Sequence, residues 1–326
     1  MNSNCPENRL PPSERLRAPS RTERLAASWE WPTLLVAFVI YGGWLLVTWR
    51  HASLAWPVRA LVGGWLLAWQ GSLQHEVIHG HPTPVRRLNT LIGSVPLSLW
   101  LPFERYRTSH LDHHATERVT EPGSDPESRY SRPGRGLPGV LARVCGWLQA
   151  TLLGRMVFGP FIDLGRFIWA EGSAESRRDA LRVWAPHLIG VLALVCWLKL
   201  VCGMSLADYA LTFVYPGAAL TLIRSYAEHR SDPVPDRRVA VVERAPLMGL
   251  LFLNNNLHAV HHRHPGLSWY RLPDIYRRDR DAVLRANGGL VYAGYGEVFA
   301  RYLLRPHDLP VHPHYRAGGE AMVELS

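Results

Sequence analysis

LAWPVRALVGGWLLAWQGSLQHEVIHGH, Leu54 to His81, joins a long apolar run to two histidines four residues apart. Leu54 to Leu73 approaches the roughly 20 apolar residues that a membrane crossing needs. Arg59 lies near its start, where a long side chain can snorkel outward, and Gly63-Gly64 permits close helix contact. If the helix continues past Leu73, His75 and His79 stack one turn apart on one face. The stretch reads as a span whose far end presents two imidazoles, and the rest of the chain is read by what else reaches that end.

Upstream, Trp31 to Trp49 is a run of 19 residues without a charge, with tryptophans at both ends. Trp favours the membrane interface, so this is a second span. The short connection Arg50 to Ser53 makes the two spans a hairpin. Before them, residues 1–28 are rich in Pro, Arg and Ser and are expected to form a disordered basic arm. Arg9, Arg15, Arg17, Arg21 and Arg24 in that arm assign it to the cytoplasm, which returns His75 and His79 to the cytoplasmic face.

Downstream, Leu88 to Phe103 is short and contains Pro96 and Pro102, so it is expected to dip into the membrane or its interface and return. Leu137 to Trp169 is broken by Arg143, Arg155, Gly159-Pro160, Asp163 and Arg166, the pattern of amphipathic helices lying in the interface. Trp184 to Gly203 and Leu206 to Ile223 form a second hairpin. Residues from Ser231 onward are mostly polar, apart from the patch Pro246 to Leu253. The expected fold is all-α: an integral membrane bundle of about four spans in two hairpins, with a helical cytoplasmic cap. Residues 29–275 would form that domain and 276–326 a cytoplasmic tail, with both termini cytoplasmic at the inner membrane.

The formal charge of +9 is almost entirely arginine, Lys199 being the one lysine. Scattered arginines beside apolar runs suit anionic membrane lipid; no nucleic-acid motif accompanies them. Cys5, Cys145, Cys196 and Cys202 form no C-x-x-C pair, which argues against a zinc knuckle or a disulfide scaffold.

Three more histidine groups follow. His110, His113 and His114 form H-x-x-H-H, and His258, His261 and His262 repeat it; His229 follows Glu228. On a helix each H-x-x-H-H can aim three imidazoles at one side. With His75 and His79, nine histidines come from four places. One tetrahedral zinc has no use for so many, whereas two six-coordinate ions do. Glu76, Asp112 and Glu228 each adjoin a ligand candidate and are suited to hold an imidazole N–H. Asn254 to Asn256 can orient a ligand or cap a helix. His81 and His264 precede prolines and read as supporting or surface residues, His51 and His187 as span-end residues, and His307, His312 and His314 as tail residues.

Other classes fit less well. Glu76 completes the H-E-x-x-H of an intramembrane zinc metalloprotease, as general base. The later spans offer that reading only Asp208 as a third ligand, and both H-x-x-H-H clusters are left unexplained. A metal transporter wants ionisable groups inside its spans, and the runs Trp31 to Trp49 and Trp184 to Gly203 hold only His187 and Lys199, near the ends.

From about Trp65 to Pro273 the chain resembles the membrane fatty acid desaturase superfamily, whose histidine boxes also occur in carotenoid ketolases and hydroxylases. His113-His114-Ala115-Thr116 followed by Asp125-Pro126-Glu127 is similar to one motif of that group. His261-His262-Arg263-His264-Pro265 followed by Trp269-Tyr270-Arg271-Leu272-Pro273 is similar to another. The resemblance implies a cytoplasmic non-haem di-iron centre ligated by His75, His79, His110, His113, His114, His229, His258, His261 and His262. It implies O2 as co-substrate, a lipid-like substrate, and electrons from a ferredoxin or cytochrome b5-type protein with its reductase. Oxidising an unactivated C–H bond needs an oxidant no side chain supplies. A desaturase acting on a lipid acyl chain is the first expectation; a carotenoid ketolase or hydroxylase, or a desaturase of a small amphipathic metabolite, is the alternative. The first box, H-x-x-x-H, is one residue shorter than in many acyl-CoA desaturases, which disfavours an acyl-CoA substrate. Trp44, Trp65 and Trp69 are expected to line a substrate tunnel.

Overall fold

The structure, a computed structural model, describes residues 29–131, 136–172 and 178–313. The basic arm, residues 1–28, and His314 lie outside the described residues.

Helix α1 (Trp31–Trp49) starts on Trp31-Pro32, where proline costs no hydrogen bond. It buries Thr33, Val36, Ala37, Ile40, Trp44 and Thr48 along one stripe and exposes Leu35, Phe38 and Leu46 on the other side. An apolar helix that buries only one stripe needs an apolar solvent for the rest. Helix α2 (Trp56–Ile78) is the centre of the bundle, and nearly all of it from Gly63 onward is buried or half-buried. Its polar side chains are satisfied inside: Ser72 Oγ donates to the Leu251 carbonyl (2.8 Å) and Gln74 Nε2 to the Gly93 carbonyl (2.8 Å).

Helix α3 (Arg86–Gly93) is too short to cross and leads through a tight turn, with Leu99 at a φ of 70°, into α4 (Phe103–Ala115). The stretch read as interfacial becomes α5 (Gly136–Leu148) and α6 (Leu152–Glu171). The Thr151 side chain caps α6 by accepting from the Gly154 N–H. Helices α7 (Ala180–Val201) and α8 (Leu206–Glu228) form the second apolar pair, each containing a π-helical turn. Helix α8 runs past Ile223, where the apolar run ends, because Arg224 and Glu228 pair along it (3.2 Å).

The cap continues with β1 (Val241–Val242), α9 (Pro246–Leu251), α10 (His258–Arg263), α11 (Leu272–Ala286), β2 (Val291–Tyr292) and α12 (Tyr295–Tyr302), β1 and β2 pairing in parallel. Tyr292, Tyr295 and Val298 belong to the same hydrophobic cluster as Ile40, Leu73 and Tyr209, so the stretch from β2 to α12 is packed into the common core.

The protein is thus mainly helical. Among the described residues, three helices are long and apolar enough to cross a membrane: α1, α7 and α8. Helix α2, expected as a span, has the length, 23 residues. Gln70, Ser72, Gln74, His75 and Glu76 dilute its hydropathy because it faces protein on most sides.

Two glycines set how α2 meets α8. A Cβ on Gly217 would lie 2.5 Å from Leu67 Cβ, and one on Gly64 2.8 Å from Pro216 Cβ. The bare backbones therefore touch, and the histidine-bearing ends of both helices are fixed relative to each other.

Candidate metal centre

The C-terminal ends of α2, α4 and α8 and all of α10 converge at one end of the bundle. They bring together all nine histidines singled out by their spacing. The imidazoles fall into two groups: His75, His79, His110, His114 and His261, and His113, His229, His258 and His262. Within each group, one nitrogen per ring lies within 4.8 Å of every other. Each H-x-x-H-H is divided between the groups and does not aim at one side as expected. Residues i and i+4 differ by about 40° around a helix, whereas i+3 lies about 60° the other way. His110 and His114 therefore enter the first group and His113 the second. On α10 the sense reverses, with His258 and His262 in the second group and His261 in the first.

The rings have little choice of tautomer. Nδ1–H of His113 donates to Asp125 Oδ1 (2.8 Å), that of His110 to Glu127 Oε1 (3.0 Å), and that of His258 to Asn255 Oδ1 (3.0 Å). His229 donates from Nδ1 to the Arg238 carbonyl (3.3 Å). Those acceptors have no hydrogen to give, so each of these four rings keeps an unshared pair on Nε2. Yet Nε2 of His258 stands 2.9 Å from Nε2 of His229 and 3.1 Å from that of His262. In the first group, Nε2 of His79 and His110 are 3.0 Å apart, and those of His114 and His261 3.1 Å. Unshared pairs facing one another repel unless a cation lies among them. Imidazole nitrogens about 2.1 Å from a metal and a right angle apart stand ~3 Å from each other, so the donor set fits two metal ions.

Most of these rings are also held neutral. Burial, reinforced by neighbouring imidazoles, pushes His79 down to about 2 and His114 and His229 to about 3. It holds His258, His261 and His262 well below their ordinary value. His113 moves the other way: burial opposes its protonation, but the Asp125 and Glu127 carboxylates outweigh it. Neutral imidazoles bind metal near pH 7 without first losing a proton.

The supporting acids differ from those adjacent in sequence. Asp112 is exposed. Glu76 accepts the Trp269 N–H (3.1 Å), with one oxygen 3.5 Å from His75 Nδ1; Glu228 pairs with Arg224 and lies 3.4 Å from His258 Nδ1. The close supports are Asp125 and Glu127, from a loop more than ten residues after the histidines they hold. Their Asp-Pro-Glu signature was visible in the sequence, but its spacing gives no indication of which ring each would meet. Asn255 does orient a ring, and its amide also reaches Nε2 of His75 (3.3 Å).

Asp125 is also bound through Oδ2 by the Thr120 N–H (2.7 Å). In Asp125→Asn one side of the group becomes a donor and faces either the His113 N–H or the Thr120 N–H. We expect a 10- to 100-fold loss of ferrous-ion affinity, the usual effect of losing such a support, read by equilibrium dialysis. Unchanged affinity would remove Asp125 from the site.

A second knot anchors α1 to this end. The buried Glu30 carboxylate accepts from His81 Nδ1 (2.6 Å), Ser268 Oγ (2.6 Å) and Thr33 Oγ1 (3.0 Å). Against the effect of burial, His81 is raised and Glu30 lowered by their contact, which keeps both charged. This gives His81 its supporting role. His307 and His312 are fixed by the Tyr226 carbonyl (3.0 Å) and Thr120 Oγ1 (3.1 Å).

A cavity of about 780 Å³ reaches the centre at Glu228 and His229 from an apolar wall of Leu67, Gly71, Val214, Gly217 and Leu222. Trp44, Trp65 and Trp69 are not on its wall, contrary to expectation. Trp44 Nε1 donates to Tyr209 Oη (3.0 Å) in the core, and the other two pack in the same cluster. The small and medium side chains of α2 and α8 shape the apolar wall instead.

Comparison with known proteins agrees with this geometry. Beta-carotene ketolases from two strains of Paracoccus sp. are similar to the chain. One is 24% identical over 255 residues, covering 74% of this chain and 90% of the relative. The other is 25% identical over 239 residues, covering 71% and 82%. The fatty acid desaturase family model matches residues 54–294, a stretch that contains all nine convergent histidines. The chain belongs to the fatty acid desaturase family.

Proposed function

We propose that this protein is a membrane-embedded, O2-dependent non-haem di-iron oxidoreductase that introduces a double bond into a lipid acyl chain. The observation that carries this reading is the pair of imidazole groups with Nε2 atoms facing one another at about 3 Å. In this reading His75, His79, His110, His114 and His261 hold one iron, and His113, His229, His258 and His262 the other. When bound, the two irons supply O2 activation and an oxidant strong enough for an unactivated C–H bond. The protein's own part is to keep the rings neutral, fix their tautomers through Asp125, Glu127 and Asn255, and align the substrate. The cavity does the aligning, with its apolar wall on α2 and α8 guiding a chain towards His229.

Electrons come from a separate ferredoxin or cytochrome b5-type protein with its reductase. Helix α2 crosses with α1, α7 and α8, which makes four spans and leaves the metal centre on the cytoplasmic side. A zinc peptidase reading fits poorly, because Glu76 is turned to the Trp269 amide and three further imidazoles share the group of His75 and His79.

Oxygenation is the second reading, favoured by the two similar ketolases. Both outcomes start with removal of the same kind of hydrogen. Expression in a bacterial host that makes β-carotene, followed by lipid and pigment analysis, tests them. A new acyl double bond supports the first reading and an oxygenated pigment the second. If neither forms while a ferredoxin and its reductase are co-expressed, both are contradicted.

A further inference from the structure

One part of the cavity wall carries side chains whose hydrogen bonding is incomplete. Gln149 is 1% exposed, and neither its amide oxygen nor its nitrogen has a partner. Arg155, 6% exposed, donates from Nε to the Gln149 carbonyl (3.1 Å) and lies over the Tyr226 ring, but its Nη1 has no partner. Both residues line the cavity, as do Arg129, Arg166, Asp163 and Asp308. Asp163 is ion-paired to Arg129, and Asp308 is engaged by Tyr130 Oη (2.6 Å) and Ser231 Oγ (2.5 Å).

Arg129 is thus matched by Asp163 and Asp308 is held by hydroxyls, while among the described residues no ion pair matches Arg155 or Arg166. Burial, then the Arg129 charge, pushes Arg155 down to about 9, with Arg166 adding to the effect and Asp163 opposing it. A buried guanidinium and a buried amide with unmade hydrogen bonds are costly unless something completes them. A pure hydrocarbon cannot.

We infer that this end of the cavity binds the terminal oxyanion of an amphipathic substrate, with Arg155 and Gln149 as direct partners and Arg166 adding charge. The apolar tail then lies against Leu67, Val214 and Leu222, and the intervening carbons pass His229. The inference rests on the proposed function only in taking this cavity as the substrate site. It narrows the substrate from lipid-like molecules in general to chains ending in a carboxylate or a phosphate, as distinct from esters, alcohols and hydrocarbons.

Purified full-length protein in dodecyl maltoside at pH 8 tests this by scintillation-proximity binding of tritiated palmitate, competed by palmitate, 1-hexadecanol and dodecyl phosphate. Palmitate is expected to compete at least about tenfold better than hexadecanol, the range of a charge-assisted hydrogen bond. Arg155→Gln and Arg166→Gln are each expected to erase that preference. Measured against laurate, which has the same chain length, stronger competition by dodecyl phosphate assigns a phosphate end and weaker competition a carboxylate end. Equal competition by palmitate and hexadecanol in the parent protein would overturn the inference, as would full preference in both variants at native melting temperature. If Arg155→Gln does not fold, Arg166→Gln decides alone. Binding is read without turnover, so an inactive protein that prefers palmitate contradicts only the proposed function. Oxidation of a hydrocarbon without acid preference contradicts only this inference.

Discussion

His261→Ala and His262→Ala are each expected to lower turnover more than about 1,000-fold, beyond the 10- to 100-fold typical of a lost supporting residue. The two are neighbours in sequence but serve different groups, His261 beside His114 and His262 beside His113 and His258. If each group holds an ion, either substitution empties about one site and spares the other. Iron content is then expected to fall from about two per chain to about one in both variants. A single metal held by one group would instead be lost completely in one variant and unaffected in the other. Each ring stands among other imidazoles that belong to the same group, so no spare side chain is at hand to replace the one removed. His51→Ala serves as the control: the His51 ring bonds the Thr48 carbonyl (2.9 Å) at the far end of α1, and turnover should be unchanged.

Gly217→Leu is expected to have nearly as large an effect without touching a histidine. A Cβ at that position already falls 2.5 Å from Leu67 Cβ and 3.3 Å from the Gly64 carbonyl oxygen. A leucine must push α8 away from α2. Overpacking of this kind costs about 1–3 kcal/mol or more, and the displacement passes to both helix ends. Helix α2 carries His75 and His79, and α8 carries Glu228 and delivers His229, so both groups are distorted together. A misplacement of about 1 Å costs on the order of 100-fold in rate. We therefore expect a lower melting temperature and at least that loss of turnover. Gly42→Ala in α1 meets nothing within 4 Å and should be silent. Native melting and native turnover in Gly217→Leu would show that the close α2–α8 contact does not position the centre.

Much of this was legible in the sequence because it depends on local periodicity. Residues at i, i+3 and i+4 share a helix side wherever the helix goes, so His110, His113, His114, His258, His261 and His262 declared themselves. The uncharged run Trp31 to Trp49 needed only its length. What depends on how helices are rotated and docked was not legible. The division of each H-x-x-H-H between two groups follows from the roll of α4 and α10, which no spacing encodes. Asp125 and Glu127 reach their rings through the path of a loop, whereas Asp112, next to a ligand in sequence, faces solvent. Helix α2 shows the limit of hydropathy: its polar residues suggest a weaker span, yet they are buried against other backbone groups. Gln149 and Arg155 lie in a stretch whose charges read as an interfacial surface. Only the closing of α6 against α8 turns them inward to the cavity.

The most direct test of the central claim is iron per chain measured with O2 consumption on the same preparation, produced with ferrous iron and assayed with reduced ferredoxin. About two irons per chain are expected, with O2 consumption that rises with iron content and activity that is lost on chelation and restored by iron but not by zinc. Full activity in protein stripped of iron and loaded with zinc, or with one metal ion per chain, would contradict it.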